Sequence, residues 1–241
     1  MLATLIPLAI AAALSTFVGG YFALRNLDKS HLILGFSAGA VIGVSFFDLL
    51  PESITLGGAS VTAIIAVAFL LYMIIDRMVG IHTHHLDHDH GHTHEEKGNR
   101  GVLRAVILCI HSLLDGVAIG LAFQVSMALG AVITVAVLAH DFSDGINTVS
   151  SIIKSGQKPA KAIRWLVIDA LAPVVGIFST VFFTVSDHTL GPILAVFCGF
   201  FLYIGASDLV PESYHAHPTK WTTFATVLGA GLIYIVIRLL A

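Results

Sequence analysis

The sequence has 241 residues, of which 56% are hydrophobic and only 11% are charged, whereas soluble proteins carry about a quarter charged residues. This composition places the chain among integral membrane proteins. The net charge of −3 and the scattered basic residues give no face for a nucleic acid. The two cysteines, Cys109 and Cys198, lie far apart in apolar runs, so they do not form a disulfide framework.

Eight apolar segments are long enough to cross a bilayer core, which takes about 20 residues of helix. The predicted fold is therefore an all-α integral membrane protein, a single transmembrane domain over residues 1–241. The N-terminus lacks the basic start of a signal peptide, so its apolar run counts as the first spanning helix. The predicted helices cover about 2–24, 31–51, 60–80, 102–125, 128–153, 161–185, 189–211 and 220–240.

The distribution of Lys and Arg predicts the orientation of these helices. Eleven of the twelve basic residues lie in or beside the first, third, fifth and seventh connections, and Arg238 alone falls on the other side. Basic residues favour the cytoplasmic side of a membrane. We therefore expect a multi-pass protein of the cell membrane, with both termini outside and the 81–101 loop in the cytoplasm.

The chain also contains an internal repeat. The sequence Asp48-Leu49-Leu50-Pro51-Glu52-Ser53 closes the second predicted helix, and Asp208-Leu209-Val210-Pro211-Glu212-Ser213 closes the seventh. These helices run in opposite directions, so the two copies fall at opposite membrane faces. Inverted repeats of this kind are common in secondary transporters. The simplest arrangement is 3+2+3, with three helices, a central pair and three inverted helices.

The central pair carries a duplicated polar pattern. Positions i and i+4 share one face of a helix, so His111 lies beside Asp115, and His140 lies beside Asp144. The two helices form a hairpin with a turn near 126–129, and its symmetry brings each histidine level with the aspartate of the other helix. Four metal-ligand side chains are therefore predicted to converge within the membrane.

Ionisable groups at that depth are costly unless they are paired or coordinated. Two imidazoles and two carboxylates suit Zn, Fe(II), Mn, Co or Cd and lack the thiolate that favours Cu(I). Ser112 and Asp141, one residue round each helix, are candidates for a second, adjoining ion. The alternative is that the two His–Asp pairs only pack the helices together through hydrogen bonds, which accounts poorly for the duplication.

Further polar residues suggest a route for the ion. Asp144 is followed on the same helix face by Asn147 and Ser151, a stripe that leads towards the cytoplasm; the alternative is that these residues only make hydrogen bonds between helices. On the sixth helix, Asp169 precedes the helix-bending Pro173 by one turn and is a candidate to face the site. The repeat motifs supply candidate residues at the two mouths, with a solvated surface charge as an equal alternative: Asp48, Glu52, Asp208 and Glu212.

The 81–101 loop is rich in histidine and has no apolar periodicity. Such a tract binds transition metals weakly and without fixed stoichiometry, so we interpret it as a cytoplasmic metal sink or sensor. Its histidines are His82, His84, His85, His88, His90, His92 and His94.

The chain resembles the ZIP (Zrt/Irt-like) family of divalent-metal transporters over essentially its whole length. Members show His-Asn-x-Pro-Glu-Gly on the fourth helix and a His-Glu-x-Pro-Glu-Gly-like motif on the fifth. Here the motifs read His111-Ser112-Leu113-Leu114-Asp115-Gly116 and His140-Asp141-Phe142-Ser143-Asp144-Gly145. The histidines and glycines match, Asp replaces each Glu, and both prolines are absent.

The resemblance implies a carrier that moves a divalent metal, zinc first among the candidates, into the cytoplasm by alternating access. It implies a primary site of His111, Asp115, His140 and Asp144, no catalytic cofactor, and a homodimer as one possible assembly. Two other functions stay open from the residues. One is an intramembrane zinc hydrolase with Ser112 as an acid/base helper, although no His-Glu-x-x-His is present; the other is a membrane metal sensor.

Overall fold

The structure, a computed structural model, describes residues 2–26, 31–84, 94–215 and 220–240, and this part of the chain is helical throughout apart from short turns. Eight of its helices are long and apolar enough to span a membrane, which confirms the predicted all-α membrane fold. The described ranges contain ten α-helices: α1 (Leu2–Asn26), α2 (His31–Val44), α3 (Leu50–Gly57), α4 (Val61–His84), α5 (His94–Val125), α6 (Met127–Lys154), α7 (Pro159–Ser179), α8 (Asp187–Tyr203), α9 (Val210–His215) and α10 (Lys220–Leu240).

Two spans are continued through a turn of π-helix instead of ending at the repeat motif. The turn Ser45–Leu49 joins α2 to α3, and the turn Ile204–Leu209 joins α8 to α9. The second predicted helix thus continues from its expected end at Pro51 to Gly57, and the seventh reaches His215. Pro51 lies in the first turn of α3, directly after the π-helical turn.

Other boundaries also differ from the apolar segments. Helix α4 continues to His84 and α5 begins at His94, so the described ends of the 81–101 segment are helical. Apolar length predicts only the part of a helix inside the bilayer, and polar residues extend it beyond. Residues 85–93 lie outside the described part of the chain. Helix α7 begins at Pro159 and passes into the 3₁₀ turn Thr180–Phe182.

The helices pack as two bundles. The site bundle contains α1, α5, α6 and α7: α1 packs on α6 and α7, and α5 packs on α6 and α7. The flanking bundle contains the remaining helices, with α2 packed on α10, α4 on α8 and α3 on α8. The bundles meet where α2 and α10 lie against α6, and where α5 touches α8.

Glycines allow close backbone packing within the site bundle. A Cβ at Gly145 of α6 would overlap the carbonyl of Thr16 in α1, and one at Gly116 of α5 would overlap the carbonyl of Pro173 in α7. Small residues let membrane helices approach closely, since lipid provides no hydrophobic force between them. Gly116 and Gly145 each follow a site aspartate, so the backbone beside both aspartates is held against a neighbouring helix.

Glycines also allow close backbone packing in the flanking bundle. Gly39 of α2 meets the carbonyl of Thr226 in α10, Gly229 of α10 meets the carbonyl of Phe36, and Gly199 of α8 lies against the Ile65 carbonyl of α4. Each close approach of a described glycine to the backbone of another helix joins helices of one bundle. The described glycines therefore bring helix backbones close together only within a bundle.

Candidate metal centre

The two central helices form a hairpin with a single residue between them. Ser126 separates α5 from α6, and its hydroxyl accepts a hydrogen bond from the backbone N–H of Leu129 at 3.0 Å. A serine at this position caps the first turn of a helix, whose N–H groups have no partner within the helix. The turn fixes α6 antiparallel to α5, with the duplicated motifs near the middle of each helix.

The hairpin brings together the four side chains that the spacing singles out. One ligand atom from each of His111, Asp115, His140 and Asp144 lies within 4.8 Å of the others, and the four residues are all buried. The Oδ2 atom of Asp115 is 3.1 Å from Nε2 of His111 and 3.2 Å from Nε2 of His140. The Oδ2 atom of Asp144 is 3.6 and 3.9 Å from the same two nitrogens.

These separations are close to those of ligands around one tetrahedral metal ion. Metal–ligand bonds of about 2.1 Å give ligand atoms about 3.4 Å apart in a tetrahedron. The donor set of two imidazole nitrogens and two carboxylate oxygens suits borderline divalent ions. Because Asp115 and Asp144 are both buried, their two neighbouring carboxylates are costly without a cation between them.

A backbone carbonyl orients His140. Its Nδ1 lies 2.9 Å from the carbonyl oxygen of Ala136, and since a carbonyl can only accept, Nδ1 carries the proton in this contact. Nε2 is then the nitrogen that presents a lone pair to the cluster. A hydrogen bond of this kind to the second ring nitrogen commonly fixes a metal-binding histidine.

Phe201 of α8 covers His140 from the flanking bundle. The two rings lie 5.5 Å apart at 75°, an edge-to-face contact, and Phe201 is itself buried. Sequence reasoning missed this residue because it stands in a continuous apolar run with no polar neighbour. The flanking bundle therefore covers part of the cluster.

Asp169 faces the hairpin but has its own partners. Ser112 donates a hydrogen bond to its Oδ1 at 2.8 Å, and Thr148 donates one to its Oδ2 at 2.7 Å. All three residues are fully buried. The carboxylate of α7 is thus held between the residue after His111 and the residue one turn after Asp144, next to the four-residue cluster but not in it.

Asp141 has a different environment. It is fully buried, and neither carboxylate oxygen has a hydrogen-bond partner among the described residues. A buried carboxylate without a partner is strongly disfavoured unless it is protonated or meets a cation. Asp141, the residue after His140, therefore offers two carboxylate oxygens as ligands for a cation.

The remaining predicted residues are either half-buried elsewhere or have no described side chains. Asn147 and Ser151 are half-buried on α6 below Asp144, and Asp48 and Glu52 are half-buried around the first π-helical turn. The side chains of Asp208 and Glu212 are not among those described. In the histidine tract, His82, His84 and His94 lie in helices without described side chains, and His85, His88, His90 and His92 lie outside the described residues.

Comparison with known proteins decides the family. Residues 82–237, well over half of the chain and including the whole cluster, match the family model described as Zip: ZIP Zinc transporter. The chain belongs to the ZIP zinc transporter family. Its eight spans and this membership make it a multi-pass membrane protein.

Several ZIP proteins are similar over part of the chain. Zinc transporter zipt-7.1 of Caenorhabditis briggsae is 30% identical over 146 residues, which are 53% of this chain and 36% of that protein. Human zinc transporter ZIP10 is 29% identical over 56% of this chain and 17% of its own length, and human ZIP4 is 28% identical over 48% and 18%. The chain thus spans about a third or less of these ZIP relatives.

Proposed function

We propose that this chain transports divalent transition-metal ions, zinc first among them, across the membrane into the cytoplasm. The observation that carries the proposal is the buried cluster of two histidines and two aspartates at the centre of the hairpin. The zinc transporters to which it is similar support the same function. Family membership favours transport over the hydrolase and sensor alternatives.

The transport mechanism that we propose is alternating access between the two bundles. The cluster lies on α5 and α6 of the site bundle, while Phe201 of the flanking bundle closes one side of it. A displacement of one bundle against the other would change which side of the membrane the cluster faces. Binding near the midplane between two such blocks is common in secondary transporters.

The helix pairing supports an inverted repeat. The packing of α1 on α6 has a counterpart in α7 on α5, and the packing of α2 on α10 has one in α8 on α4. The π-helical turns at Ser45–Leu49 and Ile204–Leu209 also occupy equivalent positions, between α2 and α3 and between α8 and α9. In our proposal the first three and last three spans are two copies related across the membrane.

A route for the ion follows from this arrangement. Asp48 and Glu52 attract the cation at the outer mouth, the four-residue cluster holds it, and Asn147 and Ser151 lead it inward along α6. Asp208 and Glu212 serve the inner mouth. Both termini lie outside in this proposal, and the histidine tract lies in the cytoplasm, where it binds ions as they arrive. A homodimer stays a prediction.

A second ion is part of the proposal. Asp141 offers two buried oxygens that lack hydrogen-bond partners among the described residues, and Ser112 and Asp169 lie on the adjoining helices. A second cation beside the first would satisfy Asp141, with Asp169 and its two hydroxyl donors completing the oxygen set. Zinc and similar ions accept such mixed oxygen and nitrogen ligands.

The test is uptake of Zn²⁺ into proteoliposomes loaded with a fluorescent chelator. The intact chain should fill the vesicles, and the double variant His140→Ala/Asp144→Ala should not. Asp76→Asn is the matched control, because Asp76 accepts a hydrogen bond from Tyr203 in the flanking bundle and lies outside the cluster. Folded protein that moves none of Zn²⁺, Cd²⁺, Mn²⁺, Fe²⁺ or Co²⁺ would overturn the proposal.

A further inference from the structure

Two buried hydrogen bonds that share one hydroxyl join the two bundles beside the site. Ser143 of α6 donates to Oγ of Ser37 in α2 at 2.8 Å, and Ser37 donates to the carbonyl oxygen of Ala139 in α6 at 2.7 Å. Both serines are fully buried. We call this chain of contacts, Ser143 to Ser37 to Ala139, the serine bridge.

The serine bridge is attached to the turn of α6 that carries the metal ligands. Ala139 immediately precedes His140, and Ser143 immediately precedes Asp144. A shift of α2 along α6 would have to break both hydrogen bonds. The serine bridge therefore ties the position of the flanking bundle to the backbone of this turn of α6, Ala139 to Asp144, which we call the ligand turn.

The serine bridge differs from the close glycine contacts between other helices. The close backbone contacts at the described glycines hold helices of the same bundle together, and they do not link α2 to α6. Among the described glycines, none makes such a close backbone contact across the boundary between the bundles. A polar contact at such a boundary can be made in one arrangement and lost in another.

The two serines have unequal roles. The single proton of Ser37 goes to Ala139 while its oxygen accepts from Ser143, so removal of the Ser37 hydroxyl abolishes both hydrogen bonds. Removal of the Ser143 hydroxyl leaves the bond from Ser37 to Ala139 intact. Without Ser37, the Ser143 hydroxyl can turn back to the carbonyl four residues earlier in its own helix, which is a common serine contact.

We propose that Ser37 is a positioning residue, which through the serine bridge holds α2 in register with the ligand turn and stabilises the described arrangement of the two bundles over a second one. This inference deepens the proposed function, since it rests on movement of the bundles during transport. A contact made in only one of two states shifts their populations by its differential free energy. An interhelical hydrogen bond in a membrane protein changes such a ratio about three-fold on average, and two change it about eight-fold.

The experiment measures the distance between the bundles by pulsed electron paramagnetic resonance in lipid nanodiscs. Spin labels are placed at Ile163 of α7 and Phe224 of α10, both exposed side chains of different bundles. The labels are introduced after Cys109 and Cys198 have been replaced by alanine in a parent that retains Zn²⁺ uptake. The readout is the ratio of the two distance populations.

Ser37→Ala should raise the population of the second distance about eight-fold relative to the parent, and Ser143→Ala about three-fold. The double variant should match Ser37→Ala, because no bond is left for Ser143 to lose. This non-additivity separates the serine bridge from two independent packing defects.

Ser15→Ala is the matched control. Ser15 of α1 donates to the carbonyl of Leu138 at 2.7 Å, the same chemistry on the neighbouring carbonyl of α6, but within the site bundle. It should leave the distance distribution unchanged. Equal effects of Ser15→Ala and Ser37→Ala, or no effect of Ser37→Ala, would overturn the inference.

Failure of the proposed function would look different. An original chain without metal uptake would end the transport proposal, while the distance ratios measured after the cysteine replacements would still decide whether Ser37 joins the bundles. A parent with normal uptake and unchanged ratios in Ser37→Ala and Ser143→Ala would remove the serine bridge and leave transport standing. If Ser37→Ala does not fold, the comparison of Ser143→Ala with Ser15→Ala decides the question.

Discussion

Oδ2 of Asp115 on α5 lies 3.2 Å from Nε2 of His140 on α6, although 25 residues separate them in the chain. The same oxygen lies 3.1 Å from Nε2 of His111 on its own helix. One carboxylate oxygen therefore touches both imidazoles, and the cluster is joined across the hairpin as well as along each helix. This makes Asp115 the central member of the candidate site.

Replacement of Asp115 by asparagine should weaken Zn²⁺ binding by more than about 100-fold, since the loss of residues that merely support a ligand already costs 10–100-fold. Competition with a chelator of known affinity, using the purified protein in detergent, measures the effect. Asp76→Asn should bind like the original chain. An unchanged affinity in Asp115→Asn would remove this residue from the site.

Zinc binding should release protons and weaken as the pH falls, because imidazole nitrogens and carboxylates bind the metal only in their deprotonated forms. Calorimetry in two buffers with different ionisation enthalpies gives the number of protons released. The apparent binding enthalpy should differ between the buffers for the original chain, and the buffer dependence should shrink in His140→Ala. Identical enthalpies in both buffers would contradict the expected role of the histidines.

Gly145→Ala should destabilise the protein by about 1–3 kcal/mol, the usual cost of overpacking. The added methyl group would overlap the carbonyl of Thr16 and push α1 away from α6. Gly231→Ala is the control, since a Cβ at this glycine meets nothing within 4 Å, and alanine favours a helix by up to about 1 kcal/mol. Thermal unfolding in detergent should give a lower Tm for the first variant and an equal or higher one for the second.

Asp141→Asn should raise the Tm of the metal-free protein, because a neutral amide replaces a buried carboxylate whose oxygens have no hydrogen-bond partner among the described residues. It should also reduce the increase in Tm on addition of Zn²⁺, because a ligand for the proposed second ion is lost. Asp169→Asn should have the opposite effect on the metal-free protein, since it weakens two charge-assisted hydrogen bonds from Ser112 and Thr148. A lower Tm in Asp141→Asn than in Asp169→Asn would contradict this difference.

The sequence was a good guide to the central hairpin. The spacing of His111 with Asp115 and of His140 with Asp144 places each pair on one helix face, and the short turn fixes how the faces meet. These are local regularities of a helix, so they need no knowledge of distant packing. The four side chains accordingly lie together in the structure.

Sequence was a weaker guide to helix ends. Pro51 marked an expected end, yet the chain continues through a π-helical turn to Gly57. Proline is disfavoured in a helix interior, yet Pro7, Pro173 and Pro192 lie inside helices of this protein, so a proline alone does not mark a helix end. The polar ends of α4 and α5 were missed because hydropathy identifies only the part of a helix that lies inside the bilayer.

By itself, the sequence determined that the described part of the chain has eight helices long and apolar enough to cross a membrane, and which four side chains share the hairpin, because both follow from composition and helical periodicity. Tertiary structure alone decided that Phe201 covers His140, that Ser112 and Thr148 donate hydrogen bonds to Asp169, and that Ser37 joins α2 to the ligand turn. These contacts join residues between 21 and 102 positions apart. Such contacts depend on how whole helices pack, which small residues and backbone carbonyls decide together, and no local pattern encodes that choice.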